Sequence, residues 1–328
     1  MNTQVRFTAP GEVKLVSAAM PVCRPDQLLV RTLYSLISPG TERAFLLGLN
    51  NTSRQYPMGA GYSTVAEIVE CGAAVDGWQV GQRIAVPIQH QRLAAVSAAH
   101  CHLLPDALDS RTATFFHLGA IALQGIRKAR IELGEGVAVL GAGIVGLLAM
   151  QWARLAGAMP VLTLDVHDAR LPLAEQLGAD AALSMTGDYR TQVQALCGNA
   201  RPEVVVDATG HPAAVTSAFD LIAPLGRLVL LGSTRGNTPD VNFYRDVHKT
   251  GLTLIGAHNS IRPAQDRRPG LWTVWEDEAL ALRCLAAGRL QVDPLVSHTF
   301  SWEDAPAAYA ELKAAQASTL GIMLEWAA

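Results

Sequence analysis

The sequence predicts an α/β protein in which a doubly wound parallel sheet is inserted into a β-rich domain. Two observations predict it. Between Val137 and Asp165 an apolar run, Val137-Ala138-Val139-Leu140, meets Gly141-Ala142-Gly143-Ile144-Val145-Gly146, then a helix-length segment, then a second apolar run that ends in an acid. The texture of the chain also changes: short β-branched runs broken by Gly and Pro give way to strands separated by helix-length segments, the pattern of a parallel sheet.

Taken in order, residues 28–36, 65–70, 83–86 and 100–104 are short alternating or β-branched runs and read as strands of a β-rich domain over residues 1–117. Residues 137–140 form a continuous apolar run, as expected of a parallel strand buried on both faces. Gly141 permits a tight turn, Gly143 lets backbone approach a pyrophosphate, and Gly146 allows helix to pack closely on strand. The helix that follows, 147–155, stops near Gly157 and aims its positive end at that phosphate. The next strand, 161–164, ends at Asp165, about 20 residues past the glycines, where a carboxylate accepts hydrogen bonds from an adenosine ribose diol.

Alternation continues with a helix 169–177 capped by Gly178, a strand 181–183, a helix 189–197, a strand 203–207, a helix 213–222 and strands 227–231 and 252–255. Residues 118–258 therefore read as one Rossmann domain. The tail, 259–328, offers helices 276–287 and 305–314 and strands 295–299 and 321–325. It is too small to stand alone, so the expectation is that it completes the N-terminal domain, with a ligand cleft at the junction.

The first βα turn implies a dinucleotide, and Asp165 favours NAD(H), because a carboxylate there repels the 2′-phosphate of NADP. Arg170 dissents, although with Asp168 it falls in the first turn of the next helix, where an N-cap and a solvated face are the simpler reading. The cofactor-binding candidates are Gly141, Ala142, Gly143, Ile144, Val145, Gly146, Asp165, Val166 and Arg170, with Ala208, Thr209, Gly232, Ser233, Ala257 and His258 after the later strands.

At 328 residues the chain exceeds what one core usually serves. Half of the residues are hydrophobic, 17% are charged, and the formal net charge of −3 gives no reason to expect nucleic acid or an anionic membrane as partner. The start of the chain has no basic segment followed by an apolar one, and no apolar run is long enough to span a bilayer, so a cytoplasmic protein is expected. Cys23, Cys71, Cys101, Cys197 and Cys284 lie far apart, which speaks against disulfides and a cysteine-rich zinc site.

Several segments carry a resemblance. Ser38-Pro39-Gly40-Thr41-Glu42 is similar to the Cys-Gly-Thr-Asp segment of zinc alcohol and polyol dehydrogenases. Gly61-Tyr62-Ser63 with Ala66, Glu70 and Gly72 is similar to their Gly-His-Glu continuation, His117-Leu118-Gly119-Ala120 to Glu-Pro-Leu-Ala, and residues 297–309 to their closing strand and helix. With the domain order, these segments make the whole chain resemble the medium-chain dehydrogenase/reductase superfamily, in which a Rossmann domain is inserted into a GroES-like catalytic domain.

The departures matter as much. The resemblance places the family's catalytic zinc ligands at Pro39, Tyr62 and His117, a set in which proline has no ligand atom and one histidine cannot hold the ion, and its structural-zinc cysteines are missing. A chain without zinc is expected, resembling a zinc-free branch that includes bacteriochlorophyllide dehydrogenases and oxidoreductases of sugar and natural-product clusters. His100-Cys101-His102 does not replace the site: in a strand the two histidines share a face, Cys101 points away, and half-exposed strand histidines are expected.

Hydride transfer to or from a carbonyl needs the oxygen stabilised and its proton moved, work that zinc otherwise does. At matched positions Thr41 and Tyr62 can donate to the oxygen, and His117, whose ring nitrogens can both take up and give a proton, can exchange the proton. Each has a structural alternative: a turn residue for Thr41, strand filling for Tyr62, a helix-start histidine bonded to backbone for His117. Glu42 is expected to pair with a nearby cation, as the resemblance implies. Arg262, Arg267, Arg268, Trp272 and Trp275 are either pocket residues or surface arginines and core tryptophans.

The function expected is a zinc-independent NAD(H)-dependent oxidoreductase acting on a secondary alcohol or ketone, a small molecule such as a sugar, a cyclitol or a secondary-metabolite alcohol. The alternatives are an enoyl or quinone reductase acting on a conjugated C=C, and a nucleotide-binding protein without turnover. By family analogy two copies pair along strand 252–255 as a homodimer.

Overall fold

The computed structural model describes residues 1–268 and 271–326. They separate into two units, Met1–His117 with Glu278–Ala328, and Leu118–Asp277. No helix among the described residues is long and apolar enough to cross a membrane.

In the unit Leu118–Asp277 the described residues form a six-stranded parallel sheet in the spatial order Ala181–Ser184, Val161–Asp165, Val137–Leu140, Val204–Asp207, Arg227–Leu230, Thr253–Gly256. Val137 lies opposite both Val161 and Val204, so the first strand in sequence is central in space. Its residues, like those of Val204–Asp207, are buried throughout, which explains why both read as unbroken apolar runs. Leu140, Leu162, Leu164, Val205 and Leu228 join one core, each fully buried leucine contributing about 2 kcal/mol. Strand order reverses between Val137–Leu140 and Val204–Asp207, and parallel pairing puts every carboxyl end at one edge of the sheet. Thr253–Gly256 is the edge strand.

The other unit is centred on the long strand Gln27–Ile37. It pairs antiparallel with Thr64–Cys71, Leu93–Ser97 and Gly321–Glu325, and the last of these runs parallel to Val296–Ser301. A smaller sheet joins Asn2–Ala9 with Glu12–Ala18 and Met58–Gly59. Phe7, Ile37, Leu46, Tyr309 and Leu324 form one core cluster, and Leu28, Val30, Ile68 and Ile84 another.

Three local expectations change. The return to the first unit starts at Glu278 and not at residue 259. Residues of 259–277 stay with the parallel-sheet unit through Asp277, which pairs with Arg127 at 2.9 Å and Arg262 at 3.6 Å. Around Thr41 there is a helix, Pro39–Leu47, and not a simple turn. Pro39 suits its first position, and Glu42 reaches back to accept the Ser38 N–H at 2.7 Å. Residues 100–104 are not one strand: Ala98–His100 is a 3₁₀ turn and His102–Leu103 a two-residue strand.

Candidate functional site

Two constellations stand out, one in each unit. In the parallel-sheet unit, Gly141 has φ +100°, a conformation that admits few residues besides glycine. A Cβ on Gly146 would lie 1.8 Å from the Gly141 carbonyl oxygen, so the helix Ile144–Leu155 sits hard against the turn. A Cβ on Gly143 would meet nothing within 4 Å. Open space therefore faces the helix start, where first-turn N–H groups lack intrahelical acceptors and the dipole is positive. These features fit a dinucleotide pyrophosphate.

Asp165 ends the neighbouring strand and is 5% exposed. Its Oδ2 accepts the Ala142 N–H at 2.6 Å and its Oδ1 the His167 N–H at 2.8 Å. The carboxylate thus braces the glycine turn, and each oxygen keeps a second lone pair for a ribose hydroxyl. Arg170 is not on a solvated face: Nη1 lies 4.0 Å from Asp165 Oδ2 and the side chain is mostly buried. Val166 is exposed.

The later candidates gather at the same sheet edge. Thr209 donates its N–H and Oγ1–H to Asp207 Oδ1 at 3.0 and 2.6 Å, fixing Ala208-Thr209 beside Gly141. Gly232 N–H is held by Asp207 O at 2.7 Å and leads to Ser233, while the Ala257 carbonyl accepts from Gln124. His258 Nδ1 lies 2.7 Å from Ser260 Oγ. Burial pushes the Asp207 carboxyl up, against the hydrogen bonds from Thr209.

In the other unit the structure brings Tyr62 and His117 together, their rings edge to face with centroids 5.2 Å apart. His117 stands at the start of helix Phe116–Ala129, and its Nδ1 is 2.6 Å from Glu278 Oε1. The second oxygen of Glu278 is 3.0 Å from His102 Nε2. An ionised carboxylate only accepts, so both nitrogens facing it carry protons. Burial opposes the charge on Glu278, yet the hydrogen bonds and charge of His102 and His117 outweigh it and hold the carboxyl down to about 2. His102 is buried, not half-exposed.

Thr41 lies partly buried in the helix Pro39–Leu47, and its neighbour Glu42 belongs to a separate network. Glu42 accepts a hydrogen bond from the Tyr309 hydroxyl and faces His90 Nε2 at 3.2 Å. Its partners are thus a tyrosine and a histidine, and the latter is the nearby cation expected of Glu42 only when its ring is protonated. His90 Nδ1 lies 2.8 Å from Ser35 Oγ, which accepts Trp326 Nε1–H at 2.8 Å. One tautomer satisfies the whole chain: Nε2–H donates to Glu42 and Nδ1 accepts from Ser35. The His90 ring also fills the space beside Gly61, where a Cβ would lie 2.4 Å from it, and so fixes the backbone that carries Tyr62.

At the positions matched to the family's zinc ligands, Pro39 has no donor atom and leaves Tyr62 and His117, a donor set that fits zinc poorly. The arginine and tryptophan candidates divide. Trp272 lies between Arg127 and Arg267 at 3.7 and 3.9 Å, Arg262 is buried against Asp277, and Trp275 is half exposed, so neither the pocket nor the surface-and-core reading describes the set.

Glu278 and His102 were not among the sequence candidates. Glu278 follows Glu276 and Asp277 in the first turns of helix Val274–Ala286, where acids read as favourable to the dipole. The one available signal was that three consecutive acids cannot share a helix face.

Known proteins match along most of the chain. The family described as alcohol dehydrogenase GroES-like domain matches residues 9–130, and that described as zinc-binding dehydrogenase matches residues 145–269. The zinc-type alcohol dehydrogenase-like protein YdjJ of Escherichia coli K12 is 22% identical, covering 94% of each chain. D-guloside 3-dehydrogenase of the same strain is 24% identical over 76% of this chain and 72% of its own. Sheep sorbitol dehydrogenase is 24% identical over 94% of this chain and 92% of its own. Among solved structures, a Sinorhizobium meliloti 1021 protein bound to NADP superposes with TM-score 0.83 at 24% identity, covering 99% of each chain. A short chain alcohol dehydrogenase of E. coli CFT073 complexed with NADH superposes with TM-score 0.84 at 19% identity, again covering 99% of each.

Proposed function

We propose, from the premise that this chain belongs to the medium-chain dehydrogenase/reductase superfamily, that it is a zinc-independent NAD(H)-dependent oxidoreductase interconverting a secondary alcohol and its ketone. The substrate class is a sugar, a cyclitol or a secondary-metabolite alcohol, in keeping with relatives named for guloside and sorbitol oxidation. The observation that carries the reading is the Tyr62–His117 pair, a phenol and an imidazole in contact at positions where zinc relatives place metal ligands.

When bound, the nicotinamide supplies or accepts the hydride. The turn Gly141–Gly146, Asp165, Val166 and Arg170, with Ala208, Thr209, Gly232, Ser233, Ala257 and His258, would hold that cofactor. Relatives have been solved with either dinucleotide, so the choice of NAD(H) rests on Asp165, whose charge opposes a 2′-phosphate. Tyr62 and Thr41 donate hydrogen bonds to the substrate oxygen, and His117 exchanges its proton. Such general acid–base assistance is worth roughly 10²–10⁴ in rate. Two copies pair along the edge strand Thr253–Gly256, which sedimentation would register as twice the 34.9 kDa chain mass.

The test is a product-resolved screen of purified protein with NAD(H) and NADP(H) against polyols, sugar derivatives and enones. An alcohol formed with NADH supports the reading. A saturated enone moves the protein to C=C reduction, and NADH binding without any product makes it a binding protein. One tightly bound zinc per chain on elemental analysis overturns the metal-free part.

A further inference from the structure

We infer that Glu278 is the positioning residue of the proton-exchanging histidine: it holds Nδ1–H of His117 on one oxygen and Nε2–H of His102 on the other, leaving Nε2 of His117 as the exchanging atom. This rests on the reading above, in which His117 moves the substrate proton.

The geometry is specific. Glu278 comes from a helix 176 residues from the two-residue strand of His102 and 161 from the helix start of His117, and all three side chains are at least nine-tenths buried. Both ion-pair partners of Glu278 are histidines. With Glu278 ionised, a proton arriving at His117 Nε2 meets a carboxylate already bonded to the other nitrogen of the same ring. A buried carboxylate paired with a permanent cation could not absorb that proton's charge so readily.

His90 shows what a purely structural histidine looks like in the same unit: Glu42 engages one ring nitrogen and Ser35 the other. Among the described residues His117 is hydrogen-bonded through Nδ1, and the ring stands edge-on to Tyr62. Among the described residues the titratable groups in contact with His117 are Glu278, with His102 behind it, and Tyr62. In alcohol oxidation the O–H bond breaks, its proton joins Nε2, and the electron pair left on oxygen forms the C=O bond as carbon gives up a hydride, which a bound nicotinamide would accept. In ketone reduction the Nε2–H bond breaks and that proton completes the new alcohol. The Nδ1–H···Glu278 bond stays in place throughout.

Long-range ¹⁵N–¹H NMR of the histidine rings in the full chain reads the tautomer directly, without substrate. Neutral His117 should carry its proton on Nδ1. Glu278→Gln presents one acceptor and one donor where two acceptors stood, so His102 and His117 cannot both keep their protons towards it, and at least one ring must change. Where the His117 ring changes, kcat should fall about a hundredfold with KM within a few-fold. A wild-type His117 protonated on Nε2, both rings unchanged in Glu278→Gln, or a His117 ring that changes without loss of kcat overturns the inference. The expected tautomers together with full turnover in His117→Ala overturn instead the reading on which it rests.

Discussion

The dinucleotide cradle and the histidine cluster are built from different materials. The cradle is backbone: a turn at positive φ, a helix start, and an acid whose two oxygens are occupied by main-chain N–H groups of its own neighbourhood. The cluster is side chain: two imidazoles from neighbouring segments and a carboxylate from a distant one, each fixing the orientation of the next. A backbone site tolerates little at a few glycines and is indifferent to many other residues. A side-chain site tolerates backbone variation but depends on every member being the right chemical group.

The difference can be broken most sharply at Gly146. Replacing it with Ala puts a Cβ against the Gly141 carbonyl, so Gly146→Ala should lower stability by about 3 kcal/mol and weaken NADH binding more than a hundredfold, read by calorimetry and fluorescence titration. Gly143→Ala, with open space at that point, should leave the melting temperature unchanged while still weakening NADH. Equal losses of stability in the two variants would show that the cradle is not organised as described.

Acid sharpens the comparison next. Because Glu278 is held down to about 2 from an ordinary 4.5, its contribution is present above 4.5 and lost as pH falls towards 2, about 3 kcal/mol in all. Asp207, pushed up by burial, has the opposite sign: it favours the fold most at low pH and less as pH rises. Urea unfolding of Glu278→Gln should therefore depend less on pH below 4.5 than wild type, and a parallel pair of curves would contradict the assignment.

A smaller effect is expected at Asp165. Substitution by Ala removes a brace and a ribose acceptor, and should weaken NAD(H) roughly tenfold while leaving NADP(H) nearly unchanged, so that dual titration shows preference narrowing. Smallest is Tyr309→Phe, which deletes one hydrogen bond to Glu42 and should cost about 1 kcal/mol in chemical denaturation without altering NADH binding.

The cradle was legible because glycine spacing, strand, helix and acid lie within one short stretch, and each leaves a local mark. That Tyr62 and His117 meet was legible only through the resemblance, which matches both to family zinc-ligand positions. Glu278 left no mark of its own, since an acid early in a helix usually faces water, and its burial depends on packing that brings residue 278 to residues 102 and 117. His102 was read by strand alternation as half-exposed, and the turn at Ala98–His100 upset that alternation. The helix at Pro39–Leu47 was missed because Pro-Gly signals a turn, whereas Pro39 opens the helix and Glu42 closes its first turn. The end of the parallel-sheet unit was set too early because the ion pairs of Asp277, and not a further strand, hold residues beyond 258.

The pairing of Ile322 with Ile37 and Glu325 with Tyr34 imposes an order on synthesis. When residues 1–117 leave the ribosome, their central strand still lacks one of its neighbours, and Glu278 has not been made. The stretch Leu118–Asp277 carries all its own strands and can close as soon as it emerges. Domains fold as units during translation, and long-range pairing is slow. The middle of the chain should therefore mature first, leaving the exposed edge of Gln27–Ile37 as the interval when a nascent chain is open to chaperones or to mispairing.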